Sequence, residues 1–249
     1  MEFIQVEINE GLAVITLARG KVNALNNTVV NELRGALKTL EADSTVNSVI
    51  LTGQGGFFSF GFDVPEFFSF EKEAFAAYLT NFTDLYTYLF LYPKPVVAAL
   101  NGHTIAGGCM LALACDTRVM VKGKARISLN EITFGSSVFA GSTEMLRFLT
   151  GSANAAEILY SGAMYSAGEA VDLGLVEQAL AGDEQMAGAR ETALALGAKY
   201  PPAFAGIKSL LRRPVAEEMT KGEKRSIREF VDIWYSEPTR ANLREIKIR

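Results

Sequence analysis

The chain has 249 residues, 49% of them hydrophobic, and its 24 basic and 28 acidic side chains leave a net charge of -4. That much apolar material can bury a large core, which excludes a disordered chain, and the acidic balance argues against a broad nucleic-acid footprint. Cys109 and Cys115, the two cysteines, share one apolar segment and have no partners for a disulfide framework or a zinc cluster. They read as reduced core residues, which suits a cytoplasmic location.

The opening stretch MEFIQVEINE is acidic and has no long apolar run, so it resembles neither a secretory signal nor a transit peptide. No later segment offers the roughly 20 apolar residues that a spanning helix needs, and no membrane association is expected. FIQVEI and LAVITLA alternate around the turn NEG and predict an N-terminal hairpin. In NNTVVNELRGALKTLEAD, Val29, Val30, Leu33, Ala36, Leu37 and Leu40 recur at helical spacing, with Asn26, Asn27 or Thr28 as the cap. SVILTG follows as a short buried strand.

The order then repeats. The loop GQGGFFSFGFDVPEFF leads to an amphipathic helix near residues 71–92, KPVVAALNG reads as a second buried strand, and a helix begins at the double glycine of IAGGCM. TRVMV and ARISL are further strands. Serial strand, loop and helix modules imply an α/β core with ligand sites where loops leave the strands. From about residue 183 the pattern is helical only, with proline expected to break it at YPPA and RRP. The expected organisation is a core over residues 1–182 and a C-terminal helical subdomain over residues 183–249.

A nucleophilic triad is poorly supported, because His103 is the sole histidine and no G-x-S-x-G elbow occurs. His103 reads as a loop residue at a strand end. GQGGFFSFG lacks the Lys-Ser/Thr ending of a phosphate loop, and no metal-ligand cluster is apparent. What remains is a glycine turn with an acid at FFSFGFD, the glycine pair at AGGCM, and a carboxylate in SLNEITFG. Two glycine turns can each aim a backbone N–H into one cleft, an oxyanion hole without side chains, while the glutamate supplies proton chemistry. Taken alone, the glycine pair fits close backbone packing equally well, and Glu131 fits an ordinary loop glutamate.

These elements resemble the crotonase, or enoyl-CoA hydratase/isomerase, superfamily. The similarity runs through KVNALN, FFSFGFD, KPVVAALNGHTIAGGCMLALACDTRV, LNEITFG and SAGEAVDLGLVEQ, over residues 10–180. The resemblance implies a spiral of ββα units with a C-terminal helical trimerisation region, a homotrimer or homohexamer, and chemistry through the thioester enolate of an acyl-CoA. It also implies an oxyanion hole from the N–H groups of Phe62 and Gly107. Coenzyme A would enter as part of the substrate, with no separate cofactor, near Lys21, Ala24, Leu25 and the Phe60 carbonyl. Asp63 beside them is expected to order its loop, and Asp116 to pair with Arg118.

Hydratases of this superfamily carry one glutamate at the position of Met110 and another at that of Glu131; here only Glu131 remains. Hydration uses two carboxylates around a water, whereas double-bond migration needs one base that takes and returns a proton. The resemblance therefore leans to the Δ3,Δ2-enoyl-CoA isomerase branch. Hydration with a displaced second acid such as Glu66 or Glu144, another hydrolase or decarboxylase reaction of this fold, and non-catalytic acyl-CoA binding are the alternatives. Glu131 is expected to sit among Ile127, Leu129, Ile132 and Phe134, which would raise its pKa. The seven phenylalanines between Phe57 and Phe70 could line an acyl tunnel or be ordinary core.

Overall fold

The computed structural model describes residues 1–245. Alternating apolar residues form the hairpin β1 (Ile4–Asn9) and β2 (Leu12–Leu17), joined at Glu10 and Gly11, both with positive φ. The helix α1 (Asn27–Ala42) follows, capped by Asn26, whose side chain accepts from the Val29 N–H. Three ββα units then succeed one another. The first is β3 (Ser48–Gly53), β4 (Phe57–Ser59) and the helices α2 (Val64–Phe67) and α3 (Lys72–Phe90). The second is β5 (Val96–Leu100), β6 (His103–Ile105) and α4 (Gly107–Ala114). The third is β7 (Thr117–Val121), β8 (Ile127–Ser128) and α5 (Ala140–Ser161), which breaks at Gly151.

In each unit the first strand joins one sheet and the second joins another. The larger sheet has the order β1-β2-β3-β5-β7-β9, where β9 is Gln178–Leu180, reached through α6 (Ala167–Asp172). The smaller has the order β4-β6-β8, parallel throughout. Corresponding strands thus lie side by side, and the chain advances as a spiral. Beyond the strands come α7 (Gln185–Gly197), α8 (Pro201–Trp234) and α9 (Glu237–Arg244).

The strand period of two sorts the larger sheet's side chains onto two faces. Ala13, Ile15, Val49, Leu51, Val96 and Ala98 enter the main core under the helices. Leu12, Val14, Ile50, Val97, Ala99 and Val119 meet Ala189 and Ala193 of α7, small residues that let this helix approach closely. Cys109 and Cys115 are free and buried, and burial pushes the Cys115 thiol up to about 12. Among the described residues no helix is long and apolar enough to cross a membrane.

Two expectations need correction. The prolines of YPPA do separate α7 from α8, but Pro214 of RRP lies inside α8, which runs on for 34 residues. Pro214 is exposed, as is Leu210 one turn earlier, so the carbonyl that loses its N–H partner faces water. The buried stripe Lys208, Arg212, Ala216, Met219, Ile227, Phe230 and Trp234 recurs at helical spacing on both sides of the proline and holds the two halves in line.

Asp116 does not pair with Arg118. Its carboxylate binds Lys208 Nζ at 2.7 Å and Arg212 at 3.3 Å, while Arg118 pairs with Glu177. Arg212 also donates to the carbonyls of Phe90, Ala114 and Cys115 and lies 4.4 Å from the Phe90 ring centroid. This buried cluster rivets α8 to the strand ends, a partner no sequence spacing could reveal.

Candidate active site

The three ββα units each deliver one functional segment to the same region, just beyond the ends of β4, β6 and β8. After β4, Phe62 forms a parallel bridge with Leu25. After β6, the chain turns at Ala106 into α4, starting at Gly107. After β8 comes a single 3₁₀ turn, Glu131–Phe134. A cavity of about 230 Å³ opens between them, lined by Phe60, Phe62, Val64, Ile105, Ala106 and Glu131 near the turns, and by Asn130, Thr133, Phe134, Phe230 and Trp234 around its remaining walls.

The turn at Ala106 has φ 50° and ψ -119°, a conformation that costs a non-glycine residue about 1–3 kcal/mol. It is held from both sides, since the Ala106 N–H donates to the Ser128 carbonyl at 2.9 Å and its carbonyl accepts from the Met110 N–H at 3.0 Å. The glycine pair then has two separate reasons. A methyl at Gly107 would lie 2.9 Å from Cε1 of Phe62, and one at Gly108 would lie 2.5 Å from the Ser59 carbonyl oxygen. Gly108 serves close backbone packing of α4 on β4, and Gly107 makes room for the aromatic wall.

The N–H groups of Phe62 and Gly107 donate to no protein acceptor among the described residues. Both belong to turns braced elsewhere: Leu25 N–H donates to Gly61 at 2.8 Å, Asp63 N–H to Leu25 at 3.0 Å, and Phe60 N–H to Val22 at 2.9 Å. A methyl placed on Gly61 would come within 3.1 Å of the Gly107 nitrogen, so the two turns are in direct contact. Two free donors on adjoining rigid turns are suited to an anion that develops on a carbonyl oxygen.

Glu131 is 3% exposed and its Oε2 has no hydrogen-bond partner among the described residues. Burial raises its pKa from 4.5 to about 8, opposed only in part by a bond from its own backbone N–H. Of the apolar residues expected around it, Phe134 lines the same cavity and Ile127 and Leu129 are buried in the core, but Ile132 departs. Ile132 is 47% exposed and turns away, while Phe60, Phe62, Val64, Ile105, Phe230 and Trp234 surround the cavity into which Glu131 faces. Phe230 and Trp234 lie a hundred residues downstream on α8, where sequence spacing offered no signal.

Among the described residues no second carboxylate lines the cavity. Met110 is fully buried in the core behind α4. Glu66 pairs with Arg19 at 3.2 Å and accepts from Asn26 at 2.9 Å, and Glu144 pairs with Arg147 at 3.0 Å, so neither displaced acid reaches the site. His103 is the first residue of β6 rather than a loop residue. It packs on Phe57 at 5.1 Å outside the cavity, and burial and Arg126 hold its pKa below the usual value.

Lys21, Ala24, Leu25 and Phe60 gather along the braced ladder between residues 22–25 and 60–63, with Lys21 exposed and Ala24 and Leu25 buried. Asp63 is fully engaged: Oδ2 meets Arg19 at 2.6 Å and Oδ1 caps α2 by accepting from the Glu66 N–H at 3.1 Å. Asn23, not singled out from the sequence, also holds this ladder by donating to the carbonyls of Gln54 and Phe57. Of the seven phenylalanines, Phe60 and Phe62 face the cavity, whereas Phe58 and Phe67 are core.

A spiral of ββα units with two free backbone donors and a buried carboxylate defines the acyl-CoA enzymes of the crotonase fold. The chain belongs to the enoyl-CoA hydratase/isomerase family, whose sequence profile matches residues 7–243. It is 35% identical over 217 residues to a probable enoyl-CoA hydratase of Bacillus subtilis, covering 85% of this chain and 82% of that protein. It is 31% identical over 229 residues to mouse mitochondrial enoyl-CoA delta isomerase 1, covering 91% and 79%. The solved structure of human mitochondrial Δ3-Δ2-enoyl-CoA isomerase superposes with a TM-score of 0.93 at 26% identity, covering 97% of this chain and 95% of that one.

Proposed function

We propose that the protein moves the double bond of an enoyl-CoA from C3 to C2. The observation that carries this reading is the single buried carboxylate, Glu131, in a cavity with no second acid to hold a hydrating water. Ionised Glu131 takes a proton from C2, the electron pair flows into the thioester, and the enolate oxygen rests on the N–H groups of Phe62 and Gly107. The C2=C3 bond then forms as the C3=C4 bond breaks, and C4 receives the proton back from Glu131. Each backbone donor contributes roughly 2–4 kcal/mol to the transition state. The aromatic walls leave little room for an ordered water, which favours return of the proton at C4 over addition of water at C3 of the conjugated thioester.

The CoA portion would run along the ladder at Lys21, Ala24, Leu25 and Phe60, with the lysine placed for a phosphate. Tyr200, Ile207, Leu210 and Leu211 form an exposed apolar face on and beside α8, which suits assembly with further copies of the chain as a homotrimer or homohexamer. Hydration of a 2-enoyl-CoA is the second reading, favoured by relatives bearing hydratase names. The test is turnover of matched 3-enoyl-CoA and 2-enoyl-CoA substrates, with Glu131→Gln in parallel. Conjugation of the 3-enoyl thioester without a hydroxyacyl product, lost in the variant by about 10²-fold or more, supports isomerisation. Appearance of 3-hydroxyacyl-CoA as the main product overturns it.

A further inference from the structure

Trp234 is the sole tryptophan and is 1% exposed. It lines the cavity, yet its indole N–H meets no acceptor among the described residues. The rings packed on it, Phe75 at 4.7 Å and Phe230 at 5.9 Å between centroids, offer no lone pair in their planes. On the same cavity's wall the Asn130 Oδ1 is also buried and unpartnered. Two residues of an otherwise largely apolar wall, besides Glu131, therefore each hold a buried polar atom without a partner among the described residues, one a donor and one an acceptor. Buried polar groups are rarely left in this state, and a hydrocarbon chain filling the space would leave both unpaired.

The lining also sets the charge of what can pair with them. Among the described residues no lysine, arginine or histidine lines the cavity, and Glu131 is the one ionisable side chain there, so a second carboxylate on the substrate would enter unpaired and against a like charge once Glu131 ionises. A neutral oxygen meets neither obstacle.

Resting on the acyl-CoA reading above, we propose that the preferred substrate carries a neutral oxygen, as a hydroxyl or keto group, on its acyl chain beyond the reacting carbons. Trp234 selects for it by donating its indole N–H to that oxygen, and a hydroxyl can in addition donate to Asn130 Oδ1.

Binding of saturated thioesters tests this without requiring turnover. Hexanoyl-CoA is compared by calorimetry with hydroxyhexanoyl-CoA bearing the hydroxyl on each of the last two carbons, which lie beyond C4. At least one hydroxylated ester should bind about 3–10-fold more tightly than hexanoyl-CoA, the value of one neutral hydrogen bond. Emission of the lone tryptophan should shift to the red with that ester and not with hexanoyl-CoA. In Trp234→Phe the affinity ratio should fall to about one. Equal or weaker binding of every hydroxylated ester by the unmodified protein overturns the proposal, as does a ratio that survives in Trp234→Phe. If no acyl-CoA binds at all, the acyl-CoA reading fails and takes this one with it.

Discussion

Replacing Glu131 by glutamine removes one ionisable group from the cavity, and its effect on stability can be worked out separately from catalysis. In the folded chain burial lifts this carboxyl from 4.5 to about 8. Between those values the unfolded chain releases the proton while the folded chain keeps it. This contribution to stability is thus fully present below the unfolded pKa and is lost progressively as pH rises through the folded pKa. The rise from 4.5 to about 8 corresponds to roughly 5 kcal/mol. Glutamine does not titrate, and the remaining groups titrate alike in both proteins. Urea unfolding from about pH 5 to about pH 9 should show the variant gaining on the unmodified chain across that window, then levelling off. With a slope near 3 kcal/mol per molar, the midpoints should separate by about 1–2 M. Parallel pH profiles for the two proteins would refute the burial of an ionising Glu131. On the proposed reaction activity runs the opposite way: kcat/KM should climb as pH rises through about 8, because a base works only when ionised.

Gly107→Ala should cost about 1–3 kcal/mol of stability and lower kcat by displacing the Phe62 ring, measured by thermal unfolding and turnover. Gly108→Ala should be the more damaging for folding, since its methyl meets the fixed Ser59 backbone rather than a ring that can tilt; equal stability of the two variants would contradict the packing described for α4. Asp116→Ala should destabilise the protein by about 3–5 kcal/mol in denaturant titrations, leaving Lys208 and Arg212 buried without their counter-charge. Leu210→Asp, on the exposed face of α8, should lower the mass measured by light scattering if that face joins copies of the chain, with little change in secondary structure.

The repeating pattern of strand, loop and helix was legible because its signals are local: alternation in FIQVEI, helical spacing from Val29 to Leu40, and glycine at the turns. The segments bearing Phe62, Gly107 and Glu131 were legible for the same reason. Parallel pairing of β4, β6 and β8 then brings them together, a step that local patterns do not encode. Misreadings arose where a residue's partner is distant. Asp116 finds Lys208 and Arg212 on α8, Pro214 is tolerated because packing on both sides outweighs one missing bond, and Ile132 faces outward because its 3₁₀ turn sends Glu131 inward. Phe230 and Trp234 could not be found as cavity residues, since on the sequence they are ordinary members of an amphipathic stripe.

The two free donors with the buried carboxylate, and the aromatic wall that faces them, come from different parts of the chain. The two donors and the carboxylate hang from neighbouring strands of one small sheet, whose spacing of roughly 4.8 Å per strand is fixed by backbone hydrogen bonds. The far wall comes from the end of a helix anchored several turns earlier by the buried charges of Lys208 and Arg212. On the proposed reaction, changes at Phe230 or Trp234 can therefore reshape which acyl chain is accepted without moving the donors and carboxylate assigned to the enolate. Such a scaffold lets diet and chemistry evolve on separate schedules.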